Sequence, residues 1–112
     1  MDKSSRVLVL GHRGLIGGAI HRKLAQMGYA PRTGARVQTL SQALGNIDDA
    51  EYVFLAGGVG GGIAKNLAQP ADLALGTLRM LSAVLAGAWE RDVKRLIWFA
   101  CACVYPVLDR PA

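Results

Sequence analysis

The stretch "VLVLGHRGLIGGAI", Val7 to Ile20, constrains this chain more than any other part of it. Four apolar residues, Val7–Leu10, run without a polar break into Gly11, and glycine recurs at Gly14 and Gly17. A short apolar run bounded by glycine reads as a buried strand, here Arg6–Leu10. The pattern after it reads as a helix over Leu15–Met27, with Leu15, Ala19, Leu24 and Met27 available for a buried stripe. Gly28 suits the residue that closes such a helix, and Pro31 lies shortly beyond.

Each glycine of the triplet has a physical task. Gly11 lets the chain turn sharply off the strand. Gly14 lets backbone approach a pyrophosphate with no Cβ in the way, and Gly17 lets the helix pack closely. The amides that open the helix, at Leu15 and Ile16, offer donors and positive potential to an anion. The same spacing occurs in ordinary tight turns, so the argument for a dinucleotide rests on its place between a strand and a helix.

A site for NAD places an Asp or Glu about 20 residues past the first glycines, to bind the ribose 2′-hydroxyl. From Lys3 to Ile47 there are seven Lys or Arg and no acid. Arg13 lies inside the glycine loop, and Arg32 and Arg36 lie near the expected end of a second strand. A guanidinium there would bind a 2′-phosphate. The sequence therefore favours NADP, with Arg13 and Arg32 as contacts and Arg36 as a solvated surface charge.

The 112-residue chain leaves room for one domain, residues 1–112. "EYVFLA", Glu51–Ala56, is a second buried strand, and "GGVGGG" after it can only be a loop. Pro70 and Asp72 suit the first turn of a helix that runs to about Glu90. Leu73, Thr77, Met80, Leu81, Val84 and Leu85 would supply its apolar contacts. A third strand follows from Leu96 to Cys101. Tyr29 to Ala50 is the least legible part, with a short strand in residues 29–39 and a short helix around Leu40–Leu44. Strands alternating with helices predict a parallel sheet in a Rossmann-like three-layer α/β sandwich.

Composition removes several alternatives. The net charge of +5 reads as a solvated basic face, and the lack of a basic run or interleaved aromatics argues against nucleic acid. Cys101 and Cys103 point the same way along a strand and are too few for a zinc site. The first apolar run is four residues long and broken by Gly-His-Arg, unlike a leader. No uninterrupted apolar segment spans a bilayer, so a reduced cytoplasmic chain is expected. With 52% hydrophobic and 19% charged residues, part of the surface is expected to meet a partner, most simply a second copy.

"GHRGLIG", "GGVGGGIAKNLAQPADL" and "DVKRLIWFACACVYP" together resemble the GDP-L-fucose synthases, extended short-chain dehydrogenase/reductases of the NAD-dependent epimerase/dehydratase superfamily. From Leu55 to Pro106 the chain lies on that pattern without a gap, whereas Tyr29–Asp49 is shorter than the pattern expects. The resemblance implies epimerisation of a GDP-4-keto-6-deoxy sugar followed by reduction of the ketone with NADPH. It implies cofactor contacts at Gly11, Arg13, Gly14, Gly17, Arg32, Leu55, Ala56 and Gly57. It also implies sugar-nucleotide contacts in the loop Gly60–Ile63, at Gly61 and Gly62. Cys101 stands where the family has a serine that orients the ketone, and Cys103 matches its acid/base cysteine. Read from its apolar surroundings alone, Cys103 is instead a small buried hydrophobe. The family's Tyr-x-x-x-Lys pair has no counterpart here, since Tyr105 has no Lys four residues on. The chain is accordingly expected to be a truncated, cofactor-binding part of such an enzyme, inactive alone, the alternative being a non-catalytic nucleotide-binding or interaction module derived from that fold.

Overall fold

The strand Val7–Leu10 (β1) is buried along its whole length, as its four apolar residues require, and everything else is arranged around it. The computed structural model describes residues 1–58, 63–100 and 106. Within them the chain continues through α1 (Leu15–Gln26), β2 (Arg32–Thr33), α2 (Leu40–Ile47) and β3 (Tyr52–Leu55). It then forms α3 (Ile63–Ala68), α4 (Pro70–Glu90) and β4 (Arg95–Trp98). The strands pair in the order β2-β1-β3-β4, every pair parallel, as the alternation of strands and helices predicts.

Alternation along the strands sends side chains to two faces. Leu8 and Leu10 of β1 join Val53 and Leu55 of β3 on one face, packed against Ala43 and Ile47 of α2 and Met80, Ala83 and Val84 of α4. Val7 and Val9 occupy the other face with Leu24 of α1, and Ile20, Tyr52 and Phe54 border them. The result is three layers, with α1 on one side of the sheet and α2 and α4 on the other. The second layer is thick because α2 presses on α4 at Gly87, where a Cβ would come within 3.1 Å of Ala43 Cβ.

Local chemistry sets the helix ends. The α1 helix closes with Gly28 at φ +89°, its amide donating to Ala25 O while the amide of Tyr29 reaches back to Leu24 O. A reciprocal capping box between Thr39 and Gln42 starts α2. Pro70 sits in the first turn of α4, and Asp72 complements its dipole.

Three expectations need correction. In α1 the buried stripe is Gly17, Gly18 and Leu24, not Leu15, Ala19 and Met27, and Leu15 is 88% exposed. Close packing of Gly17 on the glycine turn fixes the rotation of the helix and leaves Leu15 on the outside. In α4, Leu85 faces solvent, while Ala83, Gly87 and Ala88 are buried where α2 crosses. The third strand spans Arg95–Trp98, and Cys101 falls outside the described residues. The middle region, the least legible in the sequence, holds a two-residue β2 and an eight-residue α2. At 21 residues and a mean hydropathy of 1.3, α4 would suit a bilayer by length and composition. Here it lays Leu73, Met80 and Val84 against the rest of the chain as a core helix.

Candidate functional site

The connection after β1 runs to β2 on one side and the connection after β3 runs to β4 on the other, so the carboxyl ends of β1 and β3 frame a crevice. A cleft of about 560 Å³ occupies it. Gly11, His12 and Arg13 line it from the turn after β1, and Gly34 through Gln38 from the loop after β2. Leu10, Leu55, Gly57, Gly58, Lys65 and Met80 complete the described lining.

Backbone contacts explain the glycine turn. Gly11 has φ +88°, and a Cβ on it would come within 2.5 Å of Gly57 N and 2.6 Å of Ala56 C. The turn is drawn there by the ladder itself, since Ala56 N–H donates to Leu10 O at 2.9 Å. A Cβ on Gly17 would overlap the carbonyl of Gly11, so the start of α1 is pressed against the same turn. Gly14 is different. It is the N-cap of α1, with no side-chain cap, and Gly11 O at 3.4 Å is the sole neighbour of its missing Cβ among the described residues. The first α-helical bond runs from Gly18 N–H to Gly14 O at 2.9 Å, so the amides of Leu15 and Ile16 precede it at the open end. No acidic side chain occupies the first turn. Leu15 and Ile16 present their side chains outward, away from the core.

Acidic side chains are sorted between the two ends of the sheet. At the amino ends of the strands Asp49 and Glu51 pair three cations, while Lys3 and Arg95 make no ion pair among the described residues. Arg6 meets Asp49 at 3.3 Å and Glu51 at 3.5 Å, Arg32 meets Asp49 at 3.3 Å, and Lys94 holds Glu51. The hydrogen bond from Lys94, with further help from Arg6, lowers the pKa of Glu51 below the ordinary carboxylate value. The same bond raises that of Lys94. At the carboxyl ends Arg13, Arg36 and Lys65 have no ion-pair partner among the described residues, and no Asp or Glu is among the described lining of the cleft.

This sorting corrects the assignment of Arg32. It opens β2 opposite Leu8, and its guanidinium donates to Ile47 O at 3.1 Å and pairs with Asp49. It lies with Lys3 to Arg6 and Asp49 on the far side of the sheet from the glycine turn. Arg36, four residues on, lines the cleft in its place. Spacing from the glycine loop suits either arginine, and the place of Arg36 in the lining differs from the solvated surface charge expected of it. What sequence spacing did not show is that β2 stops at Thr33, so that the following loop, not the strand, faces the cleft. His12, Val37, Gln38, Lys65 and Met80 are further lining residues that sequence spacing left unassigned. Leu55 and Gly57 line the cleft as expected, whereas Ala56 supports it through its bond to Leu10. Gly61, Gly62, Cys101 and Cys103 lie outside the described residues.

The chain matches the family model for the NAD dependent epimerase/dehydratase family over residues 7–112. It is 37% identical to GDP-L-fucose synthase 1 of Arabidopsis thaliana, over 94% of this chain and 35% of that protein. It is 34% identical to GDP-L-fucose synthase of Escherichia coli K12, again over 94% of this chain and 35% of that protein. Among solved structures, a GDP-D-glycero-L-gluco-heptose synthase from Campylobacter jejuni, determined in the presence of NADPH, superposes with a TM-score of 0.86 at 26% identity. That match covers 95% of this chain and 33% of the other. A GDP-L-fucose synthetase from Naegleria fowleri bound to NADP shares the fold, with a TM-score of 0.80 at 19% identity, over 100% of this chain and 38% of the other. The chain therefore spans about a third of the length of the curated relatives it matches. A parallel sheet, a glycine turn opening α1 and a family match along all but the first six residues lead to one conclusion. The chain belongs to the NAD dependent epimerase/dehydratase family.

Proposed function

We propose that this chain is the NADP-binding portion of a GDP-L-fucose synthase-like nucleotide-sugar epimerase and reductase, working in the reducing cytoplasm. The observation that carries the reading is a cleft lined by Arg13, Arg36 and Lys65, none of them ion-paired among the described residues, with no acid in its described lining. Two further features suit the cofactor. Next to Arg13, outside the described lining of the cleft, Gly14 carries no Cβ at an uncapped helix start, where a pyrophosphate would meet the amides of Leu15 and Ile16. Val37, Leu55 and Met80 supply an apolar wall suited to a base.

In this reading Gly11 and Gly17 hold the turn against the start of α1, and Gly57 borders the same space. Arg13 and Arg36 select the 2′-phosphate, because an NAD-type carboxylate is missing from the described lining and two arginines line the cleft. When bound, the reduced cofactor supplies a hydride to a ketone carbon. Gly61 and Gly62 are proposed sugar-nucleotide contacts, Cys103 the acid/base of epimerisation and Cys101 the group beside the ketone. The relatives named for GDP-L-fucose synthesis support a GDP-sugar as the substrate.

The outer face of α4 and the edge strand β4 supply a surface for a second copy. Leu78 is 59% and Trp89 83% exposed on the helix, and Ile97, Trp98 and Phe99 are partly exposed at the edge. Titration calorimetry with NADPH and NADH tests the cofactor reading directly. Preference for NADPH supports it, and equal affinity for the two rejects it.

A further inference from the structure

The loop between β2 and α2 is pinned at every residue but one. Asn46 Oδ1 accepts from Ala35 N–H at 2.7 Å. Gln42 Oε1 accepts from Gln38 N–H at 2.8 Å and from Thr39 N–H at 3.2 Å. The two side chains are one turn apart on α2, and Asn46 Nδ2 donates to Gln42 O at 2.7 Å, which fixes the orientation of the Asn46 amide. Val37 is buried in the core, 3% exposed. A Cβ on Gly34 would come within 2.5 Å of both Asn46 Oδ1 and Leu10 Cδ2, so the backbone there runs in contact with the clamp. Between these pins stands Arg36, the one charged residue of the loop and part of the lining of the cleft.

We propose that Gln42 and Asn46 are positioning residues that hold Arg36 at the cleft and so set the preference for a phosphate on the ribose 2′-oxygen. The proposal rests on the reading of the cleft as a dinucleotide site. The physical argument is one of population. A flexible loop offers Arg36 in the competent place for only part of the time, and apparent affinity falls by that fraction. NAD has no 2′-phosphate and does not need Arg36, so loosening the loop penalises NADP alone. A general structural role for Asn46 would weaken both cofactors together.

The test uses the full chain, titrated calorimetrically with NADP+ and NAD+ as wild type, Asn46→Leu and Asn46→Ala. Leucine keeps most of the volume, alanine favours the helix, and both remove the acceptor. The expected result is an NADP+ dissociation constant raised about tenfold with that for NAD+ within about twofold, as for a competent population cut to roughly a tenth. Exchange of the Ala35 amide with deuterium should accelerate in both variants. Circular dichroism identifies a variant that fails to fold, and the other then decides. A wild-type preference for NADP+ that survives in the folded variants overturns the clamp alone. Equal weakening of both cofactors also overturns it. A wild-type chain that binds the two equally removes the cofactor reading and the clamp together.

Discussion

Gly17 stands directly over the carbonyl oxygen of Gly11, so that the first turn of α1 rests on the turn that leads into it. The atom in the way of any side chain at Gly17 is backbone, which cannot swing aside. Substituting Gly17→Ala should therefore displace α1 and cost about 3 kcal/mol or more, at or above the upper end for overpacking. Chemical denaturation of the variant measures this directly. A loss below about 1 kcal/mol would show that the contact is readily relieved.

Cofactor selection should separate the three arginines. Arg13→Ala and Arg36→Ala should each cost about 1–3 kcal/mol of NADPH binding and leave NADH binding nearly unchanged. Arg32→Ala should leave the ratio of the two affinities unaltered, because its guanidinium is engaged with Ile47 O and Asp49 at the other end of the sheet. A loss of NADPH preference in Arg32→Ala would reverse this assignment.

These assignments also mark where the sequence was legible. Val7–Leu10, Tyr52–Leu55 and the span of α4 from Pro70 to Glu90 were readable, because apolar runs bounded by glycine or opened by proline have few other outcomes. The glycine turn was readable as the opening of α1 for the same reason. The place of Arg36 at the cleft was not, since it depends on a strand of two residues and on a loop fastened by Gln42 and Asn46. Neither feature has a periodicity. The rotation of α1 was hidden too, because Gly17 and Gly18 bury surface without being hydrophobic in pattern.

Acid should weaken the fold through Glu51. Its folded-state pKa is lowered, first by the hydrogen bond from Lys94, so its contribution is complete above the unfolded value near 4.5 and is lost as pH falls through the lower folded value. Lys94 behaves in the opposite sense. Its pKa is raised above 10.5, so its contribution is present below that value and is lost as pH rises through the folded value. Glu51→Gln should flatten the acid limb of a stability profile. An unchanged acid limb would mean that other carboxylates govern it.

Self-association should depend on the outer face of α4. Sedimentation of the wild-type chain across a wide concentration range should show a dimer, and Leu78→Glu with Trp89→Glu should shift it to monomer with the fold retained. A wild-type monomer throughout would contradict this surface assignment.

The central claim is that the crevice between β1 and β3 binds a dinucleotide carrying a 2′-phosphate. Titration calorimetry of the wild-type chain with NADPH and NADH tests it most directly. The account predicts saturable binding of both, with NADPH tighter by about tenfold or more, since each charge-assisted contact is worth about 1–3 kcal/mol. Equal affinity for NADPH and NADH, or no binding of either by the folded chain, would contradict it.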